Sequence, residues 1–166
     1  MLNIAEFSRQ YAVQRLDASD VDEILALCAE NRLYYRYCRA QPTREQILND
    51  LSITPPGIGA EGKYYVGFYQ TDTLVAVMDL IDGYPERGIA FIGFFMMNAA
   101  LQGRGVGSAI IRGLADALKA QGKTAMQLGI DKGNPQSTHF WKKNGFSVLR
   151  EVPQDGRTIL LARMQL

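Results

Sequence analysis

Glycines at 103, 105 and 107 stand between an apolar run that ends at Met97 and a helical apolar stripe that begins at Val106. Glycine takes up positive φ without steric cost and lets a backbone come close to a ligand. The first turn of the helix that follows leaves N–H groups with no internal partner, at the positive end of the helix dipole. The segment Gln102, Gly103, Arg104, Gly105, Val106, Gly107 and Ser108 is therefore suited to cradle a phosphate or pyrophosphate, with an ordinary strand-to-helix turn whose glycines allow tight packing as the alternative. The letters between the glycines narrow the choice. A Walker loop needs Lys-Ser/Thr directly after its last glycine, and Gly107 is followed by Ser108 and Ala109. A dinucleotide fingerprint needs a third glycine where this chain has Ser108 or Ile110. The spacing that remains is Gln-x-x-Gly-x-Gly, at Gln102, Gly105 and Gly107.

A second segment, from Asn134 to Phe146, reads as a short capped helix. Asn134 is a favoured N-cap, Pro135 suits the first helical position, and Gly145 can end the helix in the left-handed conformation. Taken together, the glycine loop and this Asn-to-Lys-x-Gly-Phe segment resemble the GNAT N-acetyltransferase superfamily. The resemblance covers roughly Tyr64 to Phe146 well and the two ends only by length and pattern. It implies acetyl-CoA as cosubstrate, with no metal, and acetyl transfer to a primary amine by direct attack in a ternary complex. By the same resemblance the pyrophosphate sits on Gly103 to Ser108. The pantetheine arm lies along the strand end Phe95, Met96 and Met97, with Asn134, Ser137 and Trp141 beside it.

Three positions depart from the family pattern. Many members carry a tyrosine where this chain has Trp141, and an indole N–H has no useful acidity with which to protonate a leaving thiolate. Members that acetylate protein N-termini often carry a glutamate at the place of Gly129, so that substrate class is disfavoured here. The common proline at Ala99 is also missing. The tryptophan keeps a second function in view, a non-catalytic module that binds or senses acyl-CoA.

Acyl transfer to an amine needs a proton acceptor, because an ammonium of pKa about 10.4 is about one part in a thousand neutral near pH 7. Asp79 is a carboxylate inside an apolar strand, either a base of raised pKa in a cleft or a solvated outward-facing side chain. Tyr84, in the turn before the central strand, is a further candidate acid, with a structural turn aromatic as the alternative. His139 has a suitable pKa but lies about 200° around its helix from Ser137 and Trp141, so it faces away if they face the cofactor. The segment Asn31 to Tyr37, rich in tyrosine and arginine, falls where the resemblance implies an acceptor wall; by itself it is also a packed helix end with snorkelling arginines. It does not identify the acceptor, which is expected to be a small-molecule or peptide amine.

Positioning these groups requires an α/β (α+β) fold, a mixed and mostly antiparallel central sheet flanked by helices, in a single domain over 1–166. A strand is expected at Tyr11 to Leu16, then a helix capped by Asp17 or Ser19 with apolar positions Val21, Ile24, Leu25, Leu27 and Cys28. Thr43 and Gln46 form a capping-box pattern that opens a second helix through Leu51. Aromatic and β-branched residues mark strands at Tyr64 to Tyr69, Leu74 to Ile81 and Ile89 to Met97. The last is apolar on both faces and should be central and covered on each side. A helix from Val106 ends near Gly122, a strand follows at Ala125 to Ile130, and Asp155-Gly156 joins two closing strands as a hairpin.

The formal charge of +1 argues against a dedicated nucleic-acid binder, and no apolar run is long enough to cross a bilayer. The first ten residues lack the pattern of a secretory signal, so a cytoplasmic location is expected, with a homodimer left open. Cys28 and Cys38 have neither redox nor zinc spacing and are expected as free thiols.

Overall fold

The computed structural model describes residues 1–37 and 41–166; Cys38 lies outside the described residues. Seven strands form one sheet in the order β1-β2-β3-β4-β5-β7-β6. They are β1 (Ala12–Arg15), β2 (Lys63–Gln70), β3 (Thr73–Asp82), β4 (Ile89–Met97), β5 (Ala125–Asp131), β6 (Ser147–Gln154) and β7 (Arg157–Gln165). Only β4 and β5 pair in parallel, and every other neighbouring pair is antiparallel. Parallel neighbours need a crossover, and α4 (Val106–Ala120) supplies it. The mixed, mostly antiparallel architecture expected from the sequence is the one observed.

The helices divide between the two faces of the sheet. On one, Ile110, Ile111, Leu114 and Leu118 of α4 join Ala90, Ile92 and Met97 of β4, with Trp141 of α5 (Pro135–Lys143) at the edge of the same core. On the other, Val21, Ile24, Leu27 and Cys28 of α1 (Val21–Glu30) and Ile47 of α3 (Arg44–Asp50) pack with Tyr65, Val77 and Met96. This double coverage is why β4 is apolar throughout. Between α1 and α3 lies a short helix, α2 (Arg32–Tyr37), over residues that the sequence marked only as an aromatic patch.

Local capping follows the side chains. Asp17 and Asp20 form a reciprocal box that opens a 3-10 turn ahead of α1, and Thr43 and Gln46 form another at α3. At the β6–β7 turn, Asp155 and Gly156 both have positive φ, the conformation that matches the twist of a two-residue hairpin.

Candidate functional site

The cleft begins where β4 and β5 part. Their pairing runs from Ile89 opposite Ala125 to Ile92 opposite Leu128 and then stops. Gly93 is the cause on the β4 side. The β3–β4 register passes from Asp79 opposite Phe94 to Leu80 opposite Ile92, so Gly93 is the extra residue of a bulge. Beyond it, β4 stays paired with β3 but has one edge with no strand partner, and β5 turns away with β7. The gap opens into a cleft of about 370 Å³ lined by the ends of both strands, the glycine loop, α5, and Asn31 and Tyr34.

At one end of the cleft the glycine loop meets α4. Gly103 and Gly105 have φ of 74° and 80°, which disfavour any other residue although a Cβ at either would meet open space. Gly105 is the N-cap of α4 and brings no capping side chain. The N–H groups of Val106, Gly107 and Ser108 are thus left for an external acceptor. A Cβ on Gly107 would sit 3.2 Å from the Phe140 ring and 3.4 Å from Met97 Sδ, so glycine here lets three elements converge.

Across the gap, Asn134 caps α5 by accepting from Ser137 N at 3.0 Å. The residue is 1% exposed, and its Nδ2 has no hydrogen-bond partner among the described residues. A buried amide donor without a partner is costly, and it borders the cleft. The free N-terminal amides of α4, the open edge of β4 and this donor form a set suited to a pyrophosphate joined to an amide-containing arm, as coenzyme A is.

The aromatic floor is built from α5 and β4. Phe140 lies 6.0 Å from Phe95 and 4.9 Å from Trp141, and Trp141 lies 5.9 Å from Phe95 and 5.1 Å from Phe146. Trp141 is 7% exposed. It acts as the keystone of this cluster.

On the α1/α3 side of β4 lies a buried charge cluster. Asp79 faces Tyr65 across β2 and β3, and its Oδ1 is 2.8 Å from Lys63 Nζ, with both side chains largely buried. Burial pushes the Asp79 carboxyl above its ordinary value; Lys63 opposes that shift, and nearby Asp50 adds to it. A Cβ on Gly93 would lie 2.8 Å from Asp79 Oδ2. The carboxylate therefore fills the space beside the bulge that a side chain at 93 would take. Burial also raises the Cys28 thiol, which keeps it protonated and unreactive.

Of the residues singled out from the sequence, Phe95, Met96, Met97, Gln102, Gly103, Gly105, Gly107, Ser108, Asn134, Ser137 and Trp141 border the cleft. Arg104 and Val106 do not: Arg104 is exposed, and Val106 turns into the α4 core and can serve only through its backbone. Asp79 lies behind Gly93 and is not itself in the lining. Tyr84 sits in the β3–β4 hairpin at the other end of β4, stacked edge-on against Phe91 at 5.4 Å, because the hairpin joins the ends of the strands remote from Met97. His139, expected to face away, also borders the cleft. The lining face of α5 centres on Gln136, Phe140 and Lys143, at helical spacing, with Ser137 and Trp141 towards one side and His139 towards the other. The sequence reading passed over Gly93 and Phe140. The signal for Gly93 was a glycine inside an apolar strand, which marks a bulge or a close approach.

A splayed β4–β5 pair, a glycine loop that opens α4 and a capped α5 across the gap make a cleft of the shape and polarity that an acyl-CoA would need. The chain belongs to the GNAT acetyltransferase family, whose model matches residues 24–146. Among solved structures it is similar to an acetyltransferase from Thermus thermophilus, at 20% identity and a TM-score of 0.77 over 95% of this chain and 97% of that one. It is also similar to the PaiA N-acetyltransferase from Thermoplasma acidophilum in complex with coenzyme A, at 14% identity and a TM-score of 0.68 over 94% and 99%. A third similar structure is AAC(6')-Ib with paromomycin and acetyl-CoA, at 13% identity and a TM-score of 0.73 over 94% and 93%. No curated protein matches by sequence. The protein is an acetyltransferase of this family.

Proposed function

We propose that the protein moves an acetyl group from acetyl-CoA directly to a primary amine held in the same cleft, with Asp79 as the proton acceptor. Acetyl-CoA supplies the thioester. The ammonium first gives one proton to Asp79 through water; the neutral amine nitrogen then forms the new bond to the acyl carbon as the carbon–sulfur bond breaks, its second proton leaves to solvent, and the thiolate takes one proton from solvent. Val106, Gly107 and Ser108 hold the pyrophosphate by their N–H groups. Asn134 and the open edge of β4 hold the arm, and Trp141 with Phe95 and Phe140 excludes water from the acyl end. Trp141 donates no proton to the leaving group; a thiolate of pKa about 8.5 departs without one.

The observation that carries this reading is the contact between Asp79 and Gly93. The missing side chain at the bulge leaves a buried carboxylate directly behind the stretch of cleft wall that Gly93 forms. Its raised pKa brings it nearer the range in which a base works on an ammonium.

The test is thiol release from acetyl-CoA with a panel of aminoglycosides, polyamines, amino acids and short peptides. Turnover with one of these classes is expected. In Asp79→Asn, with folding checked by thermal melting, turnover should fall about 100-fold at neutral pH with CoA affinity kept, and should recover as rising pH supplies free amine. Unchanged turnover in that variant removes Asp79 from the mechanism. Tight CoA binding with no turnover across the panel would favour a binding module.

A further inference from the structure

Asn31 ends α1 and uses its carboxamide on three separate segments. It is 5% exposed. Its Nδ2 donates to Leu27 O at 2.8 Å, within its own helix, and to Met97 O at 2.9 Å, at the end of β4. Its Oδ1 accepts from Gln102 Nε2 at 2.5 Å, at the start of the glycine loop. Its backbone carbonyl accepts from Tyr35 N at 3.3 Å, inside α2. One buried side chain therefore ties the first residue of the cofactor loop to the junction from which α2 hangs, and α2 carries Tyr34 into the cleft wall.

We propose that Asn31 is a positioning residue that couples the pyrophosphate loop to the α1–α2 wall, so that binding of CoA orders the wall across the cleft. This rests on CoA occupying the loop. Gln102 is separated from Asn31 by 71 positions, and its side-chain amide is spent on this bond. When the amides of residues 106–108 close on a pyrophosphate, Gln102 is held, Asn31 is held with it, and the Asn31 carbonyl that receives Tyr35 N–H stays in place. Acceptor binding is then favoured after CoA, because the ordering of the wall has already been met.

The test compares the full-length wild type with Gln102→Met, a change of similar size at an exposed position that removes only the donor to Asn31. Hydrogen–deuterium exchange is followed with and without CoA, alongside calorimetry and thermal melting. In the wild type, CoA should slow exchange both in residues 105–109 and in residues 32–37. In Gln102→Met the loop should still be protected, the protection of 32–37 should disappear, and CoA should bind about 5-fold more weakly with little change in melting temperature. Asn31→Ala should reproduce that pattern with an added loss of stability, and the double variant should bind CoA no more weakly than Asn31→Ala alone. Equal protection of 32–37 in wild type and Gln102→Met, or none in either while the loop is protected, overturns the coupling. Absence of CoA binding by the wild type overturns the cofactor reading and this inference with it.

Discussion

The two walls of the cleft are made of different material. The wall proposed for the cofactor is largely backbone: the first-turn amides of α4, the open edge of β4 and a loop held in shape by Gly103 and Gly105. The wall proposed for the acceptor is side chains, Tyr34 on α2 and Asn31 bridging to the loop, with the Asp79–Lys63 pair behind it. Backbone donors are the same in every protein, so a site made from them depends on where glycine permits the shape. A site made from side chains depends on which residues the fold brings together. One fold can thus keep a single cofactor while its acceptor changes.

The contrast is tested most severely at Gly105. A glutamate there must adopt φ near 80° and sets a carboxylate where the pyrophosphate belongs, so Gly105→Glu should weaken CoA binding by about a thousand-fold or more. The cost to stability should be only about 1 kcal/mol, because a side chain at 105 meets open space. Calorimetry that finds wild-type affinity in the folded variant would break the assignment of the backbone wall.

Trp141 sharpens the comparison, since it lies on the cofactor side yet works by packing. Trp141→Ala opens a cavity among Phe95, Phe140 and Phe146 and should cost about 3 kcal/mol of stability together with most of the activity. Trp141→Phe keeps the ring stack and should retain most of both. Equal, severe loss of activity in the two variants with CoA affinity unchanged would mean that the indole N–H contributes directly.

The smallest effect concerns the acceptor wall and pH. The Asp79 carboxyl is raised in the folded protein, chiefly by burial, so the folded state holds its proton at pH values where the unfolded chain has lost it. The stability this group contributes is fully present below the ordinary carboxylate pKa and is lost as pH rises through the raised value. Thermal melts from about pH 4 to about pH 8 should therefore show the wild type losing ground relative to Asp79→Asn as pH increases. A difference that does not change with pH would show that Lys63 cancels the effect of burial.

Much of the wall proposed for the cofactor is legible in the sequence. Gln102, Gly105 and Gly107 announced a cradle by spacing alone, and Asn134-Pro135 announced the start of α5. These are local signals, in which a residue type is tied to a φ value or a cap within a few positions. The strand boundaries followed for the same reason, with β4 read at its observed limits from a run apolar on both faces. The six residues of the short helix α2 are too few to show a helical apolar period, and only Tyr34 and Tyr35 at its middle pack against the core. The orientation of α5 was misjudged because a helical wheel shows which residues share a face but not where a neighbouring strand will point that face.

The sequence alone determined the sheet class, the positive-φ glycine loop, the caps and the identity of the one carboxylate in an apolar strand, since each is a short-range consequence of backbone sterics or of periodicity. Tertiary structure alone decided that Asp79 meets Lys63, that Gly93 is the bulge residue that parts β4 from β5, and that Asn31 reaches Met97 and Gln102. The side-chain contacts among these join residues 16 to 71 positions apart. They depend on strand register and on how helices settle on the sheet, and both are set by burying the whole core at once.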